Sequence, residues 1–265
     1  MACQETRPIR AAFDLLLGRI ERAARQSGRD PRDITFVAVS KGVDQKGVNA
    51  ARQAGINVFG ENRVSEAIDK FSDGGLQYPL MALREGQTHR SAPRKDSLMM
   101  LRGEASATGA SLHLIGSLQT NKVRKAVGFF DLIHSIDSIY LAEKVALEAK
   151  RQSIVQPVLV QVNIAQDTTK RGVSLKDAPL LIESVKAASS LHLLGLMTIP
   201  PPPVCPEDSR PHYSRLRKLG ESLGLNRFSM GMTNDFEVAI AEGATWVRIG
   251  TALFGSRALI TERGT

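Results

Sequence analysis

Residues 34–60, ITFVAVSKGVDQKGVNAARQAGINVFG, decide the fold. The stretch starts as a run of apolar, mostly β-branched residues, crosses the helical pattern KGVNAARQAG, and ends in a second apolar run, INVFG. Strand, helix and strand in that order make the crossover unit of a parallel sheet. The same alternation continues outward. INVFG precedes NRVSEAIDKF, LHLIG precedes QTNKVRKAVGF, and DLIHSID precedes YLAEKVALEAK. PVLVQVNI then leads to LKDAPLLIESVKAA, LHLLGLMTI to HYSRLRKLGESLG and NRFSMGM to DFEVAIAEG, before a last run, TWVRIGTALFG. These are eight strand candidates, and eight is the number that closes a (β/α)8 TIM barrel, although an open doubly wound sheet alternates in a similar way. The expectation is an α/β chain forming a single barrel domain over residues 1–265.

Ahead of this unit, Ile9, Phe13, Leu16, Leu17, Ile20 and Ala24 share one helical face, with Thr6 as cap and Pro8 in the first turn, so the barrel carries an extra N-terminal helix. The segment from about Asp73 to Ala110 has no sustained periodicity and reads as an irregular insertion. In IPPPPVCPEDSRP, four successive prolines exclude helix.

Composition narrows the partners. With 42% hydrophobic and 23% charged residues the chain can bury a sizeable core. The net charge of +8 is spread along the sequence with acids between the basic residues, and aromatics are only 5%, so a nucleic-acid surface is not expected. Two distant cysteines and five histidines without helical pairing suggest neither disulfide nor metal. No apolar run approaches a membrane span, and the expected location is cytoplasmic, with no membrane partner.

Strand ends at the C-terminal face of a barrel point to its active-site mouth, which places Lys41 there, directly after FVAVS. A desolvated lysine in that position is nucleophilic toward an aldehyde; the plain alternative is a strand-end lysine that snorkels to water. FSMGMTNDF follows the seventh strand, and its Ser229 and Thr233 hydroxyls, with Thr233 as N-cap of the next helix, suggest an anion cradle. VRIGT ends the eighth strand, where Gly250 admits a ligand close to the backbone and Thr251 adds a hydroxyl. The loops after strands seven and eight are where barrels bind phosphate. Arg248 would face a ring nitrogen and, as an obligate donor, leave it unprotonated. Lysine, phosphate anchor and ring-nitrogen partner together are what pyridoxal 5'-phosphate requires.

The stretches VAVSKG, FGENRVSEA, LHLIGSLQTNK, IHSIDS, GLMTIPP and FSMGMTNDFEVAIAEGATWVRIGTALFGSR resemble, in order and over nearly the whole chain, the YggS/PROSC-type pyridoxal-phosphate-binding proteins. The resemblance implies an alanine-racemase-like barrel of the fold type III cofactor class and a role in vitamin B6 and amino-acid homeostasis, without an established catalytic activity. It implies pyridoxal 5'-phosphate held as a Schiff base on Lys41, with Ser229, Met232, Thr233, Gly250 and Thr251 around its phosphate. Arg248 would face the ring nitrogen and Asn62 would line the pocket. Ser117 stands where the family commonly has histidine, so no imidazole role transfers, and the insertion is longer than the family's usual connection.

A carrier or regulator of the cofactor is therefore expected, with PLP-dependent apoenzymes as recipients and a monomer as the assembly. The alternative is an amino-acid racemase, which needs a second acid/base. Only ten residues follow GTALFG and none is a tyrosine, leaving Tyr78, Tyr140 and Tyr213, of which Tyr78 in the insertion is the one to consider. A third reading is a barrel for another phosphate, with Lys41 as an aldolase-like amine.

Overall fold

The computed structural model describes residues 2–72, 110–167 and 169–255. Eight parallel strands close into a barrel in sequence order: β1 (Thr35–Val39), β2 (Val58–Glu61), β3 (Ser111–Leu114), β4 (Leu132–Ile136), β5 (Gln156–Gln161), β6 (Leu191–Met197), β7 (Phe228–Ser229) and β8 (Trp246–Ile249). Closure is made by β8 against β1, with Val37 opposite Arg248. The open doubly wound alternative is thereby excluded. The expected insertion lies outside the described residues apart from Ala110, which is buried.

Helices follow the strands: α2 (Gln45–Gln53), α3 (Val64–Phe71), α4 (Val123–Ala126), α5 (Ile139–Arg151), α6 (Ala178–Ala187), α7 (Arg210–Ser222), α8 (Phe236–Ala241) and α9 (Thr251–Phe254), after α1 (Ala2–Gln26). The last apolar run divides. Gly250 ends the strand, and TALF turns as a single helical coil instead of extending it. A coil that short cannot cover the barrel wall between β8 and β1. Instead α1 packs between α2 and α8, the place a full eighth helix would take. Phe13, Leu16, Ile20 and Ala24 are buried there, and the Phe13 ring meets Phe36 of β1 edge-on at 5.2 Å. Each large apolar side chain so covered contributes about 1.5–3 kcal/mol. Arg19 ties α1 to α8 through a two-pronged pair with Glu237, both contacts at 3.0 Å, while its guanidinium lies over Phe236. The expected cap at Thr6 is corrected: the helix already starts at Ala2, so Thr6 and Pro8 both lie within it.

Alternation along the strands stacks the interior into layers. Val37, Val58, Leu132, Leu159, Met197 and Trp246 form a small apolar cluster of their own. Two residues further along β4 and β8, on the same faces, are His134 and Arg248. With His113 and Ser229 they make a buried polar layer. Two residues beyond Arg248 comes Gly250, which lines the cavity at the mouth.

Candidate functional site

The C-terminal strand ends surround a cavity of about 600 Å³, within the range of small-molecule sites. Lys41, Asn62, Met232, Thr233, Arg248, Gly250 and Thr251 all line it. Residues separated by nearly the whole chain therefore share one surface, because β1 and β8 are neighbours in the closed sheet. Ser117, Gln161 and Pro202 also line it, so the proline run forms part of the wall.

Lys41 sits in a tight turn. The Val43 N–H donates to the Ser40 carbonyl at 3.0 Å and Gly42 has φ 71°, the left-handed value required at the third position of a type II turn. Contrary to the expectation of a desolvated amine, Lys41 is exposed. The strand ends at Val39 and Ser40 takes the buried position, leaving the lysine on the outside of the turn at the mouth.

Arg248 is 3% exposed. It donates through Nη1 to Ser229 Oγ and through Nη2 to the Thr198 carbonyl at 2.9 Å. Two of its five N–H groups are thus engaged, and the rest of the fork is available to an acceptor in the cavity it lines. Burial lowers its pKa to about 10, with nearby Tyr213 and Asp235 acting in the opposite direction, so it remains a cation at neutral pH.

Ser229 is fully buried beneath the cavity and is not part of its lining. Its hydroxyl also meets His134 Nδ1 at 2.9 Å, and His134 Nε2 meets His113 Nδ1 at 3.1 Å. Burial pushes His113 down to about 3 and His134 well below its ordinary value, so both imidazoles are neutral. The arrangement that satisfies each proton runs from Arg248 to Ser229 to His134 to His113.

Asp235 organises the other wall. Its Oδ1 accepts the Met232 N–H at 2.7 Å, and its Oδ2 accepts Ser209 Oγ and Tyr213 OH, each at 2.7 Å. Burial and the adjacent carboxylate raise the Tyr213 pKa, keeping the phenol protonated as a donor. The N-cap of α8 is Asp235 and not Thr233, which corrects the sequence expectation. Thr233 and Asn234 are thereby left in the preceding turn, where their backbone N–H groups have no acceptor among the described residues. Two free N–H groups plus the Thr233 and Thr251 hydroxyls fit an anion. Sequence reasoning missed Asp235, although Asp one residue before an apolar helical run is a strong cap signal.

Gly231 is required where it stands. Its φ is +92°, and an added Cβ would lie 2.5 Å from the Ala239 Cβ. Gly231→Ala is expected to lose roughly 2 kcal/mol or more, read as a lowered urea midpoint; an unchanged midpoint would contradict this packing.

Fold and cavity together define a class of protein: a closed (β/α)8 barrel with an amine, hydroxyl donors and a buried guanidinium converging at its C-terminal mouth. Residues 20–258 match the family described as alanine racemase, N-terminal domain. A pyridoxal phosphate homeostasis protein of Aquifex aeolicus is 37% identical over 248 residues, covering 91% of this chain and 95% of that protein. Its namesake in Pseudomonas aeruginosa is 37% identical over 243 residues, covering 90% and 91%. This chain belongs to the pyridoxal phosphate homeostasis protein family, within the alanine racemase N-terminal-domain group. Among solved structures, PipY of Synechococcus elongatus with PLP bound superposes with a TM-score of 0.68 at 32% identity, covering 89% of this chain and 100% of that one. A Clostridium difficile alanine racemase, TM-score 0.62 at 13% identity, shares the fold.

Proposed function

We propose that this chain binds pyridoxal 5'-phosphate in the mouth cavity, covalently through Lys41, and acts as a carrier or regulator of the cofactor, with PLP-dependent apoenzymes as recipients. The observation that carries the reading is the convergence of Lys41, Arg248, Thr233 and Thr251 on one cavity. The donor set suits three polar features of this cofactor: an amine for the aldehyde, N–H and hydroxyl donors for the phosphate, and a guanidinium for the ring nitrogen. When bound, the cofactor supplies an electrophilic aldehyde on an electron-withdrawing ring. Arg248 cannot give up its proton to that ring, which weakens carbanion chemistry and favours holding over turnover. Ser229 supports this from below by holding Arg248.

The racemase reading lacks its second base. Tyr213 is buried and committed to Asp235, Tyr140 lies exposed on α5, and no tyrosine lines the cavity among the described residues. Tyr78 lies outside them.

Borohydride reduction of the cofactor-loaded protein followed by peptide mapping is expected to place one phosphopyridoxyl group on the peptide containing Lys41. Labelling elsewhere, or none, overturns the assignment. Thr251→Ala is expected to weaken cofactor binding about tenfold, the loss of one hydrogen bond to a charged group, measured by equilibrium dialysis. Unchanged affinity would remove Thr251 from the cradle. For the regions described, no helix is long and apolar enough to cross a membrane.

A further inference from the structure

The turn that bears Lys41 is held from outside the cavity by charged groups that the binding reading does not use. Glu61, the last residue of β2, is fully buried, and its Oε1 accepts Ser40 Oγ at 2.6 Å and Lys70 Nζ at 2.8 Å. Lys70 on α3 also donates to the Ser40 carbonyl at 2.7 Å and to Glu66 Oε1 at 3.3 Å. Glu66 Oε1 accepts the Gly42 N–H at 2.6 Å. Both neighbours of Lys41 are therefore fastened to the β2–α3 unit, and the Ser40 carbonyl uses both lone pairs, one on Val43 and one on Lys70.

As a stabilising device this cluster is poor. A desolvated ion pair gains little over apolar packing, and Glu61 Oε2 is buried with no hydrogen-bond partner among the described residues, a further cost. Burial raises the Glu61 pKa in spite of Lys70 and Ser40. What the cluster delivers is orientation, since its bonds end on the residues directly before and after the amine-bearing one.

We propose that Glu61, Glu66 and Lys70 are positioning residues for Lys41: they lock the Ser40–Val43 turn so that the exposed Lys41 side chain leaves the turn in one direction at the cavity it lines. The gain is in the rate of covalent attachment, in which the amine nitrogen bonds to the aldehyde carbon and the aldehyde oxygen leaves as water with the two amine protons, through a preset approach of amine to aldehyde, and not in affinity for ring or phosphate. This rests on the cofactor reading above, so the test has one arm that needs no cofactor.

In the cofactor-free protein, amide hydrogen exchange is followed over residues 40–43. In parallel, attachment of pyridoxal 5'-phosphate to Lys41 is timed by borohydride trapping, and affinity is measured for 4-deoxypyridoxine 5'-phosphate, which has ring and phosphate but no aldehyde. Glu66→Ala removes the Gly42 acceptor and is expected to raise exchange at Gly42 and slow attachment, each about tenfold, the effect of losing one charge-assisted anchor. Affinity for the deoxy analogue stays unchanged. Glu66→Gln, whose amide oxygen still accepts the Gly42 N–H, restores wild-type exchange and rate. Because Lys70→Met alone would strand a buried carboxylate, it is combined with Glu61→Gln, and this pair is expected to behave like Glu66→Ala. Unchanged exchange and rate in Glu66→Ala and in the double variant would overturn the proposal. So would an equal loss of analogue affinity, which would mark general loosening. If the wild-type protein does not attach the cofactor at Lys41, the functional reading fails, and the exchange arm alone decides whether the turn is locked.

Discussion

Lys41→Ala is expected to lack the visible absorption band that a Schiff base between the cofactor and a lysine gives, and to carry no phosphopyridoxyl group after reduction, because no other described amine combines a strand-end position with this turn. Lys41 and Lys170 both line the cavity, so Lys170→Ala is the matched control and should keep the visible band. Folding should hardly register the change: the Lys41 side chain is exposed, and such substitutions fall within about 0.5 kcal/mol. The phosphate cradle and Arg248 remain, so the variant should still bind the cofactor reversibly, and added cofactor should dialyse away. Absorbance, intact mass and a thermal melt on one preparation check band, label and folding, and equilibrium dialysis checks the reversible binding. A retained band in Lys41→Ala would move the attachment point to another lysine.

Asp235→Ala is expected to have the largest effect on stability. Three donors converge on this carboxylate, the Met232 N–H, the Ser209 hydroxyl and the Tyr213 phenol. Removing it leaves all three without an acceptor in a region where Ser209 and Tyr213 are at most 1% exposed. Bonds to a charged acceptor are each worth about 1.5–3 kcal/mol, and coupled losses do not add fully, so a total of about 3–5 kcal/mol is expected. At this chain length that lowers Tm by about 10 °C, and calorimetry checks it. Asp235→Asn should fall between, since an amide oxygen can keep the Met232 N–H while the amide nitrogen faces Tyr213 and Ser209 as a donor. A melt shift below about 1 °C in Asp235→Ala would show that water or a rearranged turn takes over the donors.

The barrel was legible because its signal is local and repeated. ITFVAVS, INVFG and the six later apolar runs each became part of a strand, and the helical patterns between them became helices, with errors at the ends. Thr6 and TALFG were misread at such ends by several residues, because a cap residue or an apolar run does not by itself mark where an element stops. That Lys41, Thr233, Arg248, Gly250 and Thr251 lie at the mouth was also legible, since polar residues and glycine at strand ends stand out against apolar runs, whereas Asn62 and Met232 came from the family resemblance alone.

Ser229 shows the limit. Its place at the end of β7 was readable, yet whether the hydroxyl meets a ligand or holds Arg248 depends on which way β7 faces, and β7 is only Phe228–Ser229. The link from Glu61 and Lys70 to the turn of Lys41 was invisible for a similar reason. In sequence, Glu61 reads as a charge at the end of a strand and Lys70 as a charge near the end of a helix. Their burial comes from α3 folding back over β2, and their bonding to Ser40 comes from β1 lying beside β2. Residue order was enough for the strand and helix succession, the side chains able to do chemistry and the family. Which of those side chains face the cavity and which hold others in place followed from the closed barrel, because direction and burial arise from sheet closure and crossing helices, contacts between residues distant in the chain.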